Sequence, residues 1–297
     1  MTLDMFIQHF FNALTLGSLY GLIAIGYTMV YGILRLINFA HGDIFMISAY
    51  FVFITVSVFN LPWIPAVIIA IIATSLFGVM VDRIAYKPLR DAPRISALIS
   101  AIGVSFFIEN MCLVVFTGVP KPMPRLDSLV SVITLGNARI LPLAIFVPIM
   151  TSILLASLLW VLYKTKPGLA MRAISKDIET TRLMGVKVDR IIALTFAIGS
   201  ALAAAAGIMW ALRYPQIHPF MGVFPGFKAF IAAVFGGIGS VQGAMIGGLL
   251  LGFIEIMIIA FFPSLSGYRD AFAFVLLIMI LFIKPTGLMG EKLEDKI

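Results

Sequence analysis

Long apolar runs, interrupted by short polar intervals, account for most of this chain. The runs are Phe10 to Leu34, Ile44 to Phe59, Trp63 to Val81, Ile95 to Phe116, Leu141 to Leu162, Ile191 to Leu212, Val241 to Phe262 and Ala271 to Ile283. A spanning helix needs about 20 apolar residues. Most of the runs meet that length, whereas Phe227 to Phe235 is too short and breaks at Gly236-Gly237-Ile238-Gly239-Ser240. Such a glycine density disfavours one plain helix. It suits a discontinuous helix, which membranes tolerate where unwound backbone is buried or lines a cavity. The expected fold is therefore all-α: a polytopic integral membrane helical bundle with discontinuous helices. It forms a single transmembrane domain over residues 1–297 with about eight or nine spans. Gly17, Ser18, Gly21 and Gly26 mark the first run, and Ala201 to Gly207 the sixth, as closely packed helices. Pro148 is expected to kink the fifth.

The polar intervals carry the orientation. Asp82 to Arg94 and Tyr163 to Arg190 are basic, and Lys284 begins a tail with Lys292 and Lys296. The positive-inside rule puts all three in the cytoplasm. Thr117 to Ile140 and Tyr214 to Pro225 are then external. The N-terminus is external, with about nine crossings, if the short glycine-flanked segment crosses. If it only dips in, the parity changes.

The interval 164–190 also has internal order. Pro167-Gly168 is a turn signal. Met171, Ile174, Ile178 and Thr181 recur at helical spacing, which predicts a short amphipathic helix or two. Ser175 or Asp177 is placed to cap the second turn, and Gly185 to end it. Two readings stand: a loop that only fixes topology, and a helix that docks into a groove on a partner.

Composition adds little to this picture. The chain has 297 residues, 61% hydrophobic and 12% charged, with a mean hydropathy of +1.09. That charged fraction is about half the soluble norm. In this setting the net charge of +7 belongs to cytoplasmic loops and implies no nucleic acid. The sole cysteine, Cys112, excludes an intramolecular disulfide. No Lys or Arg precedes Arg35, so a cleaved signal is not expected and the first span is retained.

Candidate chemistry is confined to a few polar positions in apolar surroundings. Asn38, His41, Gly42 and Asp43 lie in one break and Gly236 to Gly243 in another. Interrupted segments in both halves of a transporter point to a substrate path and hint at an internal repeat. His41 has no second histidine nearby, His9 and His218 being distant in the chain, so a metal site is not expected. Glu109 and Glu255 are intramembrane carboxylates that are either functional or hydrogen-bonded packing groups. Lys228 is expected to snorkel to the interface. The chain contains no G-x-x-x-x-G-K-[ST] and no G-x-S-x-G motif. Energy for transport would come from an ion gradient or another subunit, and neither an enzymatic activity nor a cofactor is expected.

Three ordered blocks resemble the branched-chain amino acid permease family of ABC importers, the LivH type. They are TLGSLYGLIAIGYTMVYGILRLINFAHGDIFMISAY (Thr15 to Tyr50), RLMGVKVDRIIALTFAIGSALAAAAG (Arg182 to Gly207) and GFKAFIAAVFGGIGSVQGAMIGGLLLGFIE (Gly226 to Glu255). The likeness runs from about Asn12 to Gly290. It implies an ABC importer permease fold in a bacterial cytoplasmic (inner) membrane, surrounded by lipid. The implied partners are a second, LivM-like permease subunit, two cytoplasmic ATPases and a periplasmic binding protein that delivers leucine, isoleucine or valine. It makes the basic loop the coupling element, with Arg172, Ala173, Ile174, Asp177 and Gly185 as its contact residues. Asn38, His41, Gly42, Glu109, Gly236, Gly237, Gly239 and Glu255 become candidates for the translocation path. Related permeases carry urea, short amides or other amino acids. The alternative is a proton-coupled secondary transporter of small polar solutes, using Glu109, Glu255 or His41.

Overall fold

The computed structural model describes residues 3–90, 92–135 and 138–290. The tail lysines Lys292 and Lys296, on which part of the orientation argument rests, lie outside them. In chain order the helices are α1 (Leu3–Leu34), α2 (His41–Phe53), α3 (Trp63–Val81), α4 (Arg94–Phe116), α5 (Asp127–Val130) and α6 (Pro142–Lys164). They continue with α7 (Lys166–Lys176), α8 (Ile178–Leu183), α9 (Val188–Arg213), α10 (Val223–Gly236), α11 (Val241–Phe261) and α12 (Arg269–Ile283). Among the described residues four short strands, β1 (Lys121–Pro122), β2 (Ile133–Leu135), β3 (Ala138–Ile140) and β4 (Gln216–Ile217), pair as β1 with β4 and β2 with β3, both antiparallel. Among the described residues, 8 helices are long and apolar enough to cross a membrane. The chain divides into two compact units, Met1–Thr28 with Arg125–Thr151 and Phe227–Ile297, and Met29–Pro124 with Ser152–Gly226.

In the first unit, glycines bring backbones together. Gly17 and Gly21 of α1 meet Gly252 and Gly248 of α11, with no side chain between them. Van der Waals contact of this kind is what holds helices together in lipid, where the hydrophobic effect offers no help. The glycine-rich stretch is sharper than an interrupted helix. Gly237 and Gly239 adopt φ of +106° and +100°, which a Cβ would strain, and the chain doubles back. α10 and α11 therefore run antiparallel, Gly236 against Gly243 and Ala232 against Gly247. Ser240 caps α11, its Oγ accepting from the Gly243 N–H at 3.1 Å. Beyond α12 the chain returns to this tip: the Leu288 N–H donates to the Phe235 carbonyl at 2.9 Å and the Met289 N–H to that of Gly236 at 2.8 Å. Those bonds satisfy carbonyls that end α10.

The second unit is built around α2, which packs on α3 and α9. Gly207 of α9 sits on the Phe45 carbonyl and Ser48, Gly78 of α3 on Ser200, and Gly42 on Gly222. The Ser48 hydroxyl is held by the Phe45 carbonyl at 2.6 Å, and Phe45 meets Trp210 edge to face at 5.8 Å. The polar break is shorter than the pattern suggests. α1 ends at Leu34 and α2 starts at His41, so His41, Gly42 and Asp43 form the first turn of a helix. An acidic residue in a first turn suits the positive end of the helix dipole.

Candidate docking loop and buried polar positions

The basic loop folds as two helices. Thr165 opens α7, its Oγ1 accepting from the Gly168 N–H at 3.2 Å. Gly168 lies on the backbone of Val161 and Leu162, so α7 turns back tightly from the end of α6. Met171 and Ile174 are buried, and α7 rests on α9. Asp177 serves both helices. Its N–H donates to the Ala173 carbonyl at 3.0 Å, closing α7. Its carboxylate then accepts from the Thr180 N–H at 3.1 Å and the Thr180 hydroxyl at 2.8 Å, opening α8. Gly185, at φ +82°, ends α8 with its N–H on the Arg182 carbonyl at 3.0 Å. We expect Asp177→Ala to cost α8 about 1 kcal/mol, the usual worth of an N-cap. Faster amide hydrogen exchange at residues 180–183 checks it.

The outward face differs from the set named from sequence. Arg172 is exposed and its guanidinium lies over the Tyr163 ring at 5.1 Å. Gly185 is exposed and Ala173 half-buried. Ile174, 1% exposed, anchors the loop to its own chain. Asp177 is a cap. Three large apolar residues outside that set are exposed: Leu169, Leu183 and Met184, the last two 87% and 80% exposed. The signal was available as two large apolar residues directly before the turn glycine of an otherwise polar loop. Lys166, Lys176, Arg182 and Lys187 of the same loop are exposed.

The path candidates fall into two sets. Asn38, His41, Gly42 and Glu109 belong to the second unit. Asn38 is buried and its Oδ1 accepts from the Tyr86 hydroxyl at 2.7 Å. His41 is buried in the first turn of α2, and Gly42 is consumed by the contact with Gly222. Glu109 is buried on α4. Asp43, not among the candidates, is buried too and accepts from the Ser105 hydroxyl at 2.5 Å. Gly236, Gly237, Gly239 and Glu255 belong to the first unit. Gly236 and Gly237 are in backbone contact with Gly243 and Gly290, while Gly239 has open space and serves the turn.

Lys228 does not snorkel. It is 6% exposed, with Nζ 2.9 Å from Glu255 and 2.6 Å from Asp270. Glu255 also accepts from the Tyr20 hydroxyl at 3.1 Å, and Arg269 Nε stands 3.8 Å away. The hairpin reversal brings α10 beside α11 and so supplies Lys228 with the Glu255 carboxylate. Among the described residues no three His, Cys, Asp or Glu side chains gather in a metal-binding group.

Long apolar helices, glycine-mediated crossings and a helical hairpin define a multi-pass helical membrane protein. The chain belongs to the family described as branched-chain amino acid transport system / permease component, whose profile matches residues 9–283. It is 41% identical over 305 residues to the high-affinity branched-chain amino acid transport system permease protein BraD of Pseudomonas aeruginosa, covering 98% of each chain. It is 40% identical over 303 residues to the corresponding LivH protein of Escherichia coli, again over 98% of each. A solved structure, PsaBC from Streptococcus pneumoniae in complex with Fab, matches at a TM-score of 0.48 and 14% identity over 93% of this chain and 91% of that one. The family is one of transport permeases.

Proposed function

We propose that the chain is the membrane-spanning permease subunit of an ATP-driven importer for leucine, isoleucine and valine in a bacterial cytoplasmic membrane. Residues 1–297 act as one permease domain, paired with a LivM-like subunit, driven by two cytoplasmic ATPases and fed by a periplasmic binding protein. The observation that carries this reading is the docking loop. α7 and α8 are capped and anchored from behind by Met171 and Ile174, and they present two exposed apolar residues, Leu183 and Met184, in a loop with exposed basic side chains. A rigid helix pair with exposed apolar anchors suits a groove on a soluble partner. ATP-driven closure of the ATPases would move this loop and shift the permease between inward- and outward-facing states. The chain performs no covalent chemistry. The alternative, a proton-coupled transporter using Glu255, is disfavoured by the cation already bound to that carboxylate.

The test is uptake by the reconstituted importer. Radiolabelled leucine should accumulate only with ATP and be indifferent to a protonophore, with urea a poor competitor. Leu183→Asp with Met184→Asp should weaken ATPase capture by about 2 kcal/mol or more, the scale of interface hot spots. Arg172→Glu and Gly185→Pro should leave the protein inserted yet uncouple hydrolysis from uptake. Leucine accumulation without ATPases, collapsed by a protonophore, sinks the reading in favour of the alternative.

A further inference from the structure

We propose that Arg90 is a positioning residue that carries movement of the docking loop to the join between α1 and α2. The inference rests on the importer reading above. Its first link is covalent. Only Met184 to Lys187 separate α8 from α9, and the Val188 N–H bonds back to the Val186 carbonyl at 2.9 Å, so Asp189 travels with the loop. Asp189 is held by Arg90 Nη1 at 2.6 Å and by Lys87 Nζ at 2.9 Å.

Arg90 reaches in two directions. Its Nη2 binds Asp82 at 2.6 Å, so one planar guanidinium bridges two carboxylates. The fork geometry of Arg permits this, and the point charge of Lys does not reproduce it. Asp82 opens the π-helical turn Asp82–Tyr86 that follows α3. Tyr86 closes that turn, packs on Phe196 of α9 at 5.4 Å and donates to Asn38 Oδ1 at 2.7 Å. The Asn38 carbonyl in turn accepts from the His41 N–H at 3.1 Å, at the first residue of α2. Polar contacts on either side of the turn Asp82–Tyr86, whose backbone carries the middle link, therefore join the end of the docking loop to the start of the central helix.

The two ends of the strut differ in a useful way. The Asp189 side chain is 54% exposed, and Arg90 and Asp82 are 14% and 1% exposed. A solvent-exposed pair is weak by itself, whereas a buried charge cannot lose its partner cheaply. Arg90 can thus release or regain Asp189 while remaining on Asp82, as a part that follows a moving loop must do. Arg90 and Asp189 lie in separate polar intervals of the sequence.

A contiguous line is not yet a coupling, which needs a cycle of substitutions. The reconstituted complex with its ATPases is the sample, and leucine moved per ATP hydrolysed is the readout. Wild-type complex that fails to accumulate leucine with ATP refutes the importer reading itself. Given wild-type activity, Asp189→Asn should retain assembly, thermal stability and hydrolysis. Its leucine-to-ATP ratio should fall on the order of fivefold, within the range of coupling changes along such networks. Asp189→Glu should restore the ratio. Adding Arg90→Met with Asp82→Asn, which removes both buried charges together, should lower it no further. An unchanged ratio in Asp189→Asn overturns the proposal, as do losses that multiply independently. If the buried double variant does not fold, the Asn and Glu variants at Asp189 decide alone.

Discussion

Lys228→Met is expected to destabilise the protein by about 3–5 kcal/mol, the cost of stripping one partner from a buried ion pair. Glu255 is only 4% exposed, and it would keep the Tyr20 hydroxyl and an Arg269 nitrogen at 3.8 Å, beyond hydrogen-bond distance and on a half-exposed side chain. Asp270, 39% exposed, suffers less because water can solvate it. The cation also stands 5.7 Å from the Tyr20 ring centroid, so its loss removes a contact between α10 and α1 as well. The matching double variant, Lys228→Met with Glu255→Gln, removes the buried carboxylate along with its cation, leaves only the partly exposed Asp270 without it, and should recover most of the loss. Thermal unfolding of detergent-solubilised protein checks both. A Lys228→Met protein as stable as wild type would mean that the pair does not hold these helices. Glu255→Gln separates the structural role from a proton-carrying one: loss of stability with residual ATP-driven uptake marks a structural carboxylate, and full stability with abolished uptake a proton site.

That pair also marks the limit of what the sequence made legible. Local signals were readable where local physics decides. The apolar run Trp63 to Val81 is the helix α3 to the residue, and Asp177 and Gly185 bound α8 because caps and left-handed turns depend on neighbours a few positions away. Gly17 and Gly21 read correctly as close-packing positions. Partners remote in sequence were not readable. Lys228 was expected at the interface because its acceptors, 27 residues on at Glu255 and further on at Asp270, reach it only after the chain reverses. The partner of Asp43 is hidden for the same reason, since Ser105 is 62 positions distant. Ile174 shows a different limit. Helical periodicity finds an apolar face, and that face turns to the protein's own core, whereas the exposed apolar residues Leu183 and Met184 break the periodicity.

Alanine substitutions at the α1–α11 crossing should order themselves by what each new methyl group meets. At Gly248 and Gly252 the methyl would fall on the backbone of Gly21 and Gly17, and at Gly17 on the Leu249 Cα at 2.8 Å. Backbone has no rotamer with which to yield, so the helices must move apart. In lipid their packing contact is the attraction itself. Overpacking of this kind costs about 1–3 kcal/mol, and Gly248→Ala and Gly252→Ala belong at the upper end of that range. Gly21→Ala should be milder, because its nearest obstacle is the Met245 Sδ at 2.6 Å, on a flexible side chain, and backbone follows only at 3.5 Å. Gly267→Ala, with nothing within 4 Å, is the neutral control. Thermal midpoints of the purified variants give the ranking directly. If Gly21→Ala proved as damaging as Gly252→Ala, the crossing would be governed by side-chain crowding, and backbone contact between α1 and α11 would lose its place as the attachment holding the hairpin to α1.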